Sequence, residues 1–371
     1  MATRRGRACT MQVARPRRQL RSTVLITRLD PGGATQAELE EYFQLQLAAS
    51  LHDRPADPAP TRASVIGRLT RPALPQQRLA YFAARNGGGE LLGVGFLVLL
   101  GELKTDLAAL NITVRPDSRR HGVGTALLRA IAGAASDRKS LLIEGLAEGS
   151  AGQAWAAALG FAVVQRTVRL GLDLTTADAS RWDVPAADAY HLISWTGSAP
   201  EEILGSYAAA RNAIDEAPRG EMSFTEPEWT PRRVRDEEAT AQARRCELRV
   251  VAAVAESDAT AVAGFTYLEV HDHRPDVAIQ QDTAVLQAHR GNGLGVWMKA
   301  VNLQRLVADH PEVKLVTTSN AADNVHMLRV NERVGFTVIE ATQNREAQLA
   351  DLASRLGLQG PNPTTRRPSS Q

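Results

Sequence analysis

Two glycine-rich segments of the chain have the residue types and spacing of a phosphate-binding loop. Both contain R-x-x-G-x-G, which starts at Arg119 in the first copy and 171 residues later at Arg290 in the second. Glycines let the backbone approach an anion closely, and the free N–H groups at a helix start attract it. The predicted anion-binding residues are Arg119, Arg120, His121, Gly122, Val123 and Gly124 in the first copy and Arg290, Gly291, Asn292, Gly293, Leu294 and Gly295 in the second. A pyrophosphate-bearing cofactor and two lobes built to bind it are therefore predicted.

The repeat continues on both sides of this loop. Gly95-Phe96 matches Gly264-Phe265 at an offset of 169, and Gly160-Phe161 matches Gly335-Phe336 at an offset of 175. Three landmarks in one order, with a drift of a few residues, indicate a duplicated unit. Strand-like and helix-like segments alternate in each half, which predicts an α/β sheet in each lobe.

These residues resemble the GNAT superfamily of acyl-CoA-dependent N-acyltransferases, whose phosphate loop is Q/R-x-x-G-x-G/A and whose later Leu-Gly-Phe closes a helix. The resemblance is to tandem members, the mycothiol-synthase type among them, and covers about residues 24–174 and 190–345. It implies an α/β (α+β) fold of two GNAT-like lobes, each a mixed, mostly antiparallel sheet flanked by helices. It also implies acetyl-CoA as co-substrate and transfer of its acetyl group to a primary amine.

The resemblance further implies where the rest of the co-substrate lies. Pantetheine would bond the backbone of the strand before each loop, with the thioester carbonyl close to that strand. The additional implied contacts are Val114 and Thr125 in the first lobe and Val285, Gln287 and Asn324 in the second.

Amine attack on a thioester needs a general base. The candidates in the second lobe are Asp282, just before the loop, and Glu269 on the preceding strand, with His271 and His273 nearby. Each acid could equally be a solvated charge at a strand edge. The first-lobe residue aligned with Asp282 is Asn111, which cannot accept a proton. We therefore expect catalysis mainly in the C-terminal lobe.

Both lobes depart from the family pattern at one position. The family often places a tyrosine four residues before the glycine of Leu-Gly-Phe, where it protonates the leaving thiolate, but these positions are Ala156 and Asn331 here. A thiol with a reference pKa of about 8.5 can leave with little help, so activity is still expected. The departure keeps a second hypothesis open, a non-catalytic acyl-CoA-binding protein or regulator.

The composition is that of a globular protein with ordinary charge. The chain has 371 residues, 44% of them hydrophobic, and a net charge of +2. Two cysteines, Cys9 and Cys246, are too few for a disulfide scaffold or a cysteine-based metal site, and a cytoplasmic location fits them. No apolar run is long enough for a membrane span. Only 4 of the 43 basic residues are lysine, a bias typical of high-GC bacterial genes.

The predicted organisation has five parts: a disordered Arg-rich arm (1–22), an N-terminal GNAT-like domain (23–174), a linker (175–189), a C-terminal GNAT-like domain (190–345) and a terminal helix with a flexible tail (346–371). The arm leaves open a nucleic-acid-associated role, which the overall charge does not favour. A dinucleotide dehydrogenase is disfavoured because neither loop reads G-x-G-x-x-G.

The expected acceptor is a small-molecule amine, although peptides also fit, and a monomer or dimer is expected. Trp195 and Trp229 are candidates to line the acceptor pocket. The proline-bearing segment 218–235 is predicted to form a loop over it.

Overall fold

The computed structural model describes residues 24–55, 57–70, 77–100, 106–216, 220 and 228–358. The predicted Arg-rich arm and most of the predicted tail lie outside these residues. None of the helices in the described ranges combines the length and the apolar character needed to cross a bilayer.

The first half of the chain supplies six strands and four helices among the described residues. In chain order they are β1 (Leu25–Leu29), α1 (Gln36–Asp53), α2 (Arg62–Leu69), β2 (Gln77–Arg85), β3 (Leu91–Leu100), β4 (Leu107–Val114), α3 (Val123–Ala134), β5 (Ser140–Ala147), α4 (Ala151–Ala158) and β6 (Ala162–Asp173). A hairpin turn joins β2 and β3, and the Asn86 side chain accepts hydrogen bonds there from the backbone of Gly88 and Glu90, each at 3.0 Å.

The second half repeats this order. Its elements are β7 (Tyr190–Thr196), α5 (Leu204–Arg211), α6 (Pro231–Ala243), β8 (Cys246–Ala255), β9 (Val262–His271), β10 (Arg274–Val285), α7 (Leu294–Asp309), β11 (Leu315–Ala321), α8 (Val325–Arg333), β12 (Thr337–Gln348) and α9 (Leu349–Leu356). The predicted mixed sheet flanked by helices, in two tandem lobes, is confirmed.

The two lobes exchange their last strands. The strands of the described residues form one sheet in the order β1-β2-β3-β4-β5-β12-β6-β11-β10-β9-β8-β7. Strand β12 from the second half pairs with β5 of the first, and β6 from the first half pairs with β11 of the second. The predicted domain boundaries remain a prediction, but the hydrogen-bonded sheet crosses them.

Polar side chains join the two exchanged strands. The hydroxyls of Thr167 in β6 and Thr342 in β12 lie 2.6 Å apart. The buried guanidinium of Arg345 in β12 donates a 2.7 Å hydrogen bond to the carbonyl of Phe161, just before β6. Since buried polar groups are costly unless they are paired, these bonds favour this strand register over a slipped one.

Each lobe packs its long central helix against the sheet. In α3, Leu127, Leu128 and Ile131 are fully buried in the core of the first lobe. In α7, Ala300 and Leu303 are fully buried in the core of the second. Both helices follow a glycine-rich loop, so the cores fix the direction in which the helix N-termini point.

The predicted loop over 218–235 is wrong at its C-terminal end. Residues 231–235 form the first turn of α6, and the Thr230 hydroxyl caps that turn by accepting a 3.2 Å hydrogen bond from the backbone of Arg233. Threonine followed by proline is a helix-start signal, because proline at the first helical position lacks only an N–H that would have no helical partner.

Candidate functional site

Both predicted phosphate loops end in a helix with an open N-terminus. Gly122 and Gly293 precede α3 and α7 with φ of 84° and 73°, in the left-handed region that favours glycine. Among the described residues, neither helix has a side-chain cap. The first-turn N–H groups therefore point outward with no helical acceptor, which is the geometry that binds a pyrophosphate.

The first arginine of each loop holds the loop to its own strand. The Arg119 Nε donates to the Val114 carbonyl and the Arg290 Nε to the Val285 carbonyl, each at 3.1 Å. The Arg119 guanidinium also binds both carboxylate oxygens of Asp53, at the end of α1, at 2.7 Å. The Asp53 carboxylate therefore largely neutralises the positive charge of Arg119. An anion at the first loop would thus bind mainly to the backbone N–H groups rather than to Arg119.

A cleft opens beside each loop where two parallel strands diverge. The β4–β5 ladder extends from Leu107 only to Leu110, although β4 continues to Val114. The β10–β11 ladder ends at Ile279, although β10 continues to Val285. Backbone groups left unpaired along β4 and β10 can bond an extended amide chain such as pantetheine. The predicted contacts at Val114, Val285 and Gln287 lie at the loop end of these openings.

The exchanged strands brace the far wall of each cleft. Strand β12 pairs with β5 as far as Ala147, and β6 pairs with β11 as far as Ala321, so both walls stay in the sheet after they leave β4 and β10. Each cleft therefore depends on a strand from the other half of the chain.

Only the second lobe has a β-bulge in the strand that leads to its loop. Between Gln280 and Thr283, β10 carries one residue more than β9, so Gln281 and Asp282 together face Tyr267. The β3–β4 ladder of the first lobe is continuous, with Asn111 opposite Phe96. A bulge re-aims side chains and frees backbone groups, which is why bulges are frequent beside active sites.

Asp282 belongs to a charged cluster on the face covered by α5 and α6. Its carboxylate lies 3.7 Å from the guanidinium of Arg211, which is only 2% exposed. Arg211 also forms an ion pair with Glu237 of α6, and its guanidinium stacks on the Trp229 ring at 3.5 Å. Trp195 lines a small cavity beside Arg211 and Glu237. Both tryptophans thus lie beside Arg211, and their role in an acceptor pocket stays a prediction.

Burial sets the protonation of this cluster. Burial, with the negative charge of Asp282 beside it, raises the pKa of Tyr267 well above its usual range. Burial also raises the pKa of Glu237, and the nearby Arg211 opposes that rise. For Arg211 itself burial acts to lower the pKa, but the surrounding Tyr267, Tyr207 and Glu237 outweigh it and raise the pKa. Arg211 therefore stays a cation, and Tyr267 stays a neutral hydrogen-bond donor.

The other predicted base, Glu269, is held by a histidine. Its carboxylate lies 3.2 Å from Nε2 of His271, and the same nitrogen lies 4.0 Å from the Cys246 sulfur. A nucleophile–histidine–acid relay needs its two partners on different ring nitrogens. This arrangement is therefore not such a relay, and Glu269 is more constrained as a base than the partly exposed Asp282.

The second loop is fixed by a tyrosine from outside the motif. The Tyr190 hydroxyl, at the start of β7, lies 3.0 Å from Nδ1 of His289 and 3.4 Å from the Asn292 amide nitrogen. The Asn292 amide also donates to the His289 carbonyl at 3.0 Å. These contacts leave the Asn292 side chain occupied within the loop, so its backbone N–H is the group that faces an anion.

The first lobe has an uncharged counterpart of the cavity beside Arg211. The cavity at the corresponding place is lined by Leu29, Tyr42, Gln46, Tyr81, Val94, Gly95, Phe96 and Asn111. Among the described residues that line it there is no carboxylate and no cation, so no lining group can serve as a general base at neutral pH.

Helix α8 presents an asparagine where the family has its tyrosine. The amide nitrogen of the buried Asn331 donates a 2.7 Å hydrogen bond to Asn320 in β11. Its own amide oxygen is buried without a hydrogen-bond partner in the part of the chain that the structure describes. Asn324, a predicted co-substrate contact, caps α8 by accepting from the Met327 backbone at 3.1 Å. The asparagines thus order the wall of the second cleft.

Sequence reasoning missed Arg211, Glu237 and Tyr267. Arg211 sits at the end of an alanine-rich helix and Glu237 within a polar one, so neither looks unusual along the chain. Alignment of the two halves gives a partial signal: at the offset of 169 that joins Phe96 to Phe265, Tyr267 replaces Val98. A polar residue in place of a valine marks a position at which the two lobes differ.

Comparison with known proteins finds similarity to one family. The family model described as the acetyltransferase (GNAT) family matches residues 40–161. Mycothiol acetyltransferases of Mycolicibacterium paratuberculosis and Mycobacterium avium are each 26% identical over 261 residues, covering 68% of this chain and 78% of theirs.

Solved structures agree over most of the chain. A tandem GNAT protein from the clavulanic acid biosynthesis pathway has a TM-score of 0.74 at 26% identity and covers 88% of this chain and 99% of its own. A GCN5-related N-acetyltransferase from Sphaerobacter thermophilus has a TM-score of 0.64 at 14% identity, with 88% and 96% covered. The second likeness bears on the fold alone. The first supports the tandem layout in both fold and sequence.

Proposed function

This chain is a tandem GNAT acetyltransferase, and from that premise we propose that its C-terminal lobe moves an acetyl group from acetyl-CoA to a primary amine. GNAT acetyltransferases use acetyl-CoA as co-substrate, and the open helix N-terminus beside a splayed strand pair fits its pyrophosphate and pantetheine. The β-bulge carrying Asp282, present in one lobe and absent from the other, is the observation that carries the assignment of catalysis to the C-terminal lobe.

The loop residues 290–295 would hold the pyrophosphate through backbone N–H groups, with Val285 and Gln287 along the strand. Asp282 takes a proton from the bound ammonium form of the acceptor, so that the amine can attack the thioester carbonyl. Arg211 holds the Asp282 carboxylate in place, since the two groups lie 3.7 Å apart, and Arg211 is shared with Glu237. Glu269 is the second candidate base.

The first lobe keeps a co-substrate loop, with Val114 and residues 119–125, but the described residues that line its cavity include no carboxylate. We assign it a supporting role: it holds β12 and β6 in the sheet and so shapes the active cleft. The acceptor class we propose is a small-molecule amine. The mycobacterial relatives are mycothiol acetyltransferases, and the small cavity lined by Trp195, Arg211 and Glu237 is the place near which we propose that the amine binds.

The test is a coupled assay of CoA release with acetyl-CoA and a panel of primary amines, including amino sugars, amino acids and peptides. Mass spectrometry of the acceptor identifies the product. Amine-dependent CoA release with an acetylated product is expected. Tight acetyl-CoA binding with no acetylated amine from any class in the panel would contradict the proposal and favour the acyl-CoA-binding alternative.

A further inference from the structure

The second lobe places a lysine where the first lobe has a core leucine. Lys299 lies four residues after Gly295 in α7, and Leu128 lies four residues after Gly124 in α3. Leu128 is fully buried in an apolar core, whereas Lys299 is 1% exposed at the same place. Among the described residues Lys299 makes no hydrogen bond or ion pair. Its Nζ lies 5.9 Å from the centroid of the Phe336 ring. A buried cation without a partner is costly and needs a reason.

Three relationships place Lys299 beside the inner part of the proposed active cleft. The charge of Asp282 in the β10 bulge acts on the Lys299 ammonium. Phe336 follows α8, and its backbone N–H donates to the carbonyl of Asn331 at 3.0 Å. Asn331 is in turn bonded to Asn320 in β11, the strand that diverges from β10. Lys299 is therefore flanked by the bulge on one side and by α8 and β11 on the other.

Element geometry agrees with this position. Helix α7 returns along the sheet from the loop. At a rise of 1.5 Å per residue, Lys299 lies about 8 Å from the N-terminal end of this helix. Asp282 is about 10 Å back along β10 from the loop at 3.3 Å per residue. Both groups thus lie at the same depth in the cleft, beyond the pyrophosphate end.

We propose that Lys299 is the proton donor to the departing CoA sulfur, the role for which neither lobe has a tyrosine. This inference rests on the proposed acyl transfer. As the amine nitrogen bonds to the carbonyl carbon, the carbon–sulfur bond breaks and sulfur takes the electron pair. The ammonium of Lys299 then gives its proton to the sulfur, which leaves a neutral amine and a thiol. The acceptor nitrogen loses two protons over the cycle, one when the ammonium is deprotonated and one after the nitrogen bonds to the carbonyl carbon. One of them passes through Asp282 to the Lys299 amine and the other is released to solvent, so protons balance over the cycle.

The surroundings suit this task. Burial lowers the pKa of Lys299 to about 7, with the Asp282 charge opposing the change. A donor whose pKa lies near the working pH gives up and regains its proton readily. Asn331, whose backbone carbonyl binds the Phe336 N–H, offers an amide oxygen that is buried without a partner in the described chain. The Lys299 ammonium would stabilise a CoA thiolate, and the Asn331 amide oxygen would accept a hydrogen bond from the CoA thiol.

The test uses CoA itself as the probe, without any acceptor. If Lys299 lies against the sulfur, bound CoA should ionise more easily than free CoA. We expect the thiolate-to-thiol ratio of CoA bound to the full chain, read by ultraviolet absorbance across a pH series, to exceed that of free CoA at least tenfold. Lys299→Leu, which copies the residue of the first lobe, should abolish the increase, as should Lys299→Met. Lys314→Leu, at an exposed lysine, is the matched control and should keep it.

Binding of desulfo-CoA shows that each variant is folded and still has its loop, since this probe lacks only the sulfur. An equal thiolate ratio in the wild-type chain and in Lys299→Leu would overturn the assignment. Failure of the wild-type chain to bind CoA would overturn both this inference and the proposed function. Ionised bound CoA without acetylation of any amine would uphold the lysine site and contradict only the proposed function.

Discussion

The carboxylate of Asp282 lies 3.7 Å from the guanidinium of Arg211, and each residue comes from a different layer of the second lobe. Asp282 is on the bulged strand β10, and Arg211 ends helix α5, where it also pairs with Glu237 of α6. The contact joins the predicted base to the helices that cover the acceptor side. The first lobe has no counterpart, because its aligned strand residue is Asn111.

Replacing Arg211 should destabilise the chain strongly. Arg211→Met leaves the half-buried Glu237 and the neighbouring Asp282 without their cation, and breaking one partner of a buried ion pair costs about 3–5 kcal/mol. The double variant Arg211→Met with Glu237→Leu should recover part of that loss, because only Asp282 is then left without the Arg211 charge. Urea unfolding of both variants measures the free energies. A loss below about 1 kcal/mol for the single variant would show that the pair is not a stabilising one.

Removing the proposed base should slow turnover without weakening co-substrate binding. Asp282→Asn keeps the size of the side chain but cannot accept a proton, so kcat should fall roughly 10²–10⁴-fold. The Kd for acetyl-CoA should stay within about twofold, because the loop contacts do not involve this carboxylate. Steady-state kinetics and calorimetry measure the two quantities. Asn111→Asp, the matched change in the first lobe, should alter neither; wild-type kcat in Asp282→Asn would shift the role of base to Glu269.

Lys299 should make stability depend on pH in a defined window. Its pKa is about 7 in the folded chain against a reference value of 10.5, so between these values the unfolded chain binds more protons. The free energy of unfolding should therefore rise with pH across this window, by at most about 1.4 kcal/mol per pH unit. Below pH about 7 both states carry the proton and Lys299 adds no slope.

Urea unfolding of the wild-type chain and Lys299→Leu at several pH values checks this dependence. The variant should be the more stable chain near pH 7, and the difference should shrink toward pH 10. Parallel curves for the two proteins would mean that Lys299 keeps an ordinary pKa in the folded state.

The exchanged strands should make the two lobes unfold as one unit. Each cleft wall is braced by a strand from the other half, so neither lobe can lose its last strand without opening the other. Calorimetry of the full chain should give one transition whose calorimetric and van't Hoff enthalpies agree. Two resolved transitions, one of which is shifted by Asn331→Ala and the other by Leu128→Ala, would contradict this coupling.

Much of this fold could be predicted because its signals are local. The R-x-x-G-x-G loops, the Asn86 turn and the apolar spacing in α3 and α7 each depend on residues a few positions apart, and the duplication showed each signal twice. The duplication also indicated a functional difference between the lobes, since Asn111 replaces the acid at Asp282.

The remaining features depend on contacts between distant residues. The exchange of β6 and β12 follows from pairings such as Thr167 with Thr342, which no local pattern encodes. The cluster around Arg211 gathers residues from α5, α6, β9 and β10, and the bulge at Asp282 changes the register by a single residue. Lys299 could have been found by aligning the halves, because a lysine opposite a core leucine breaks the apolar pattern of α7.

The central claim, that the chain binds acetyl-CoA at the second loop for catalysis, is tested most directly by calorimetric titration of acetyl-CoA into the wild-type chain and the variants Gly295→Leu and Gly124→Leu. Neither glycine has a positive φ. A Cβ added at Gly295 would lie 3.8 Å from Val330, and one added at Gly124 would lie 3.7 Å from Trp155, which are ordinary contact distances. The added side chain can therefore fill the cleft without strain in the backbone. The account predicts that Gly295→Leu loses acetyl-CoA binding at the second loop and, with it, amine acetylation, while Gly124→Leu keeps amine acetylation. Acetylation that survives Gly295→Leu and disappears with Gly124→Leu would place the active cleft in the first lobe and contradict the account.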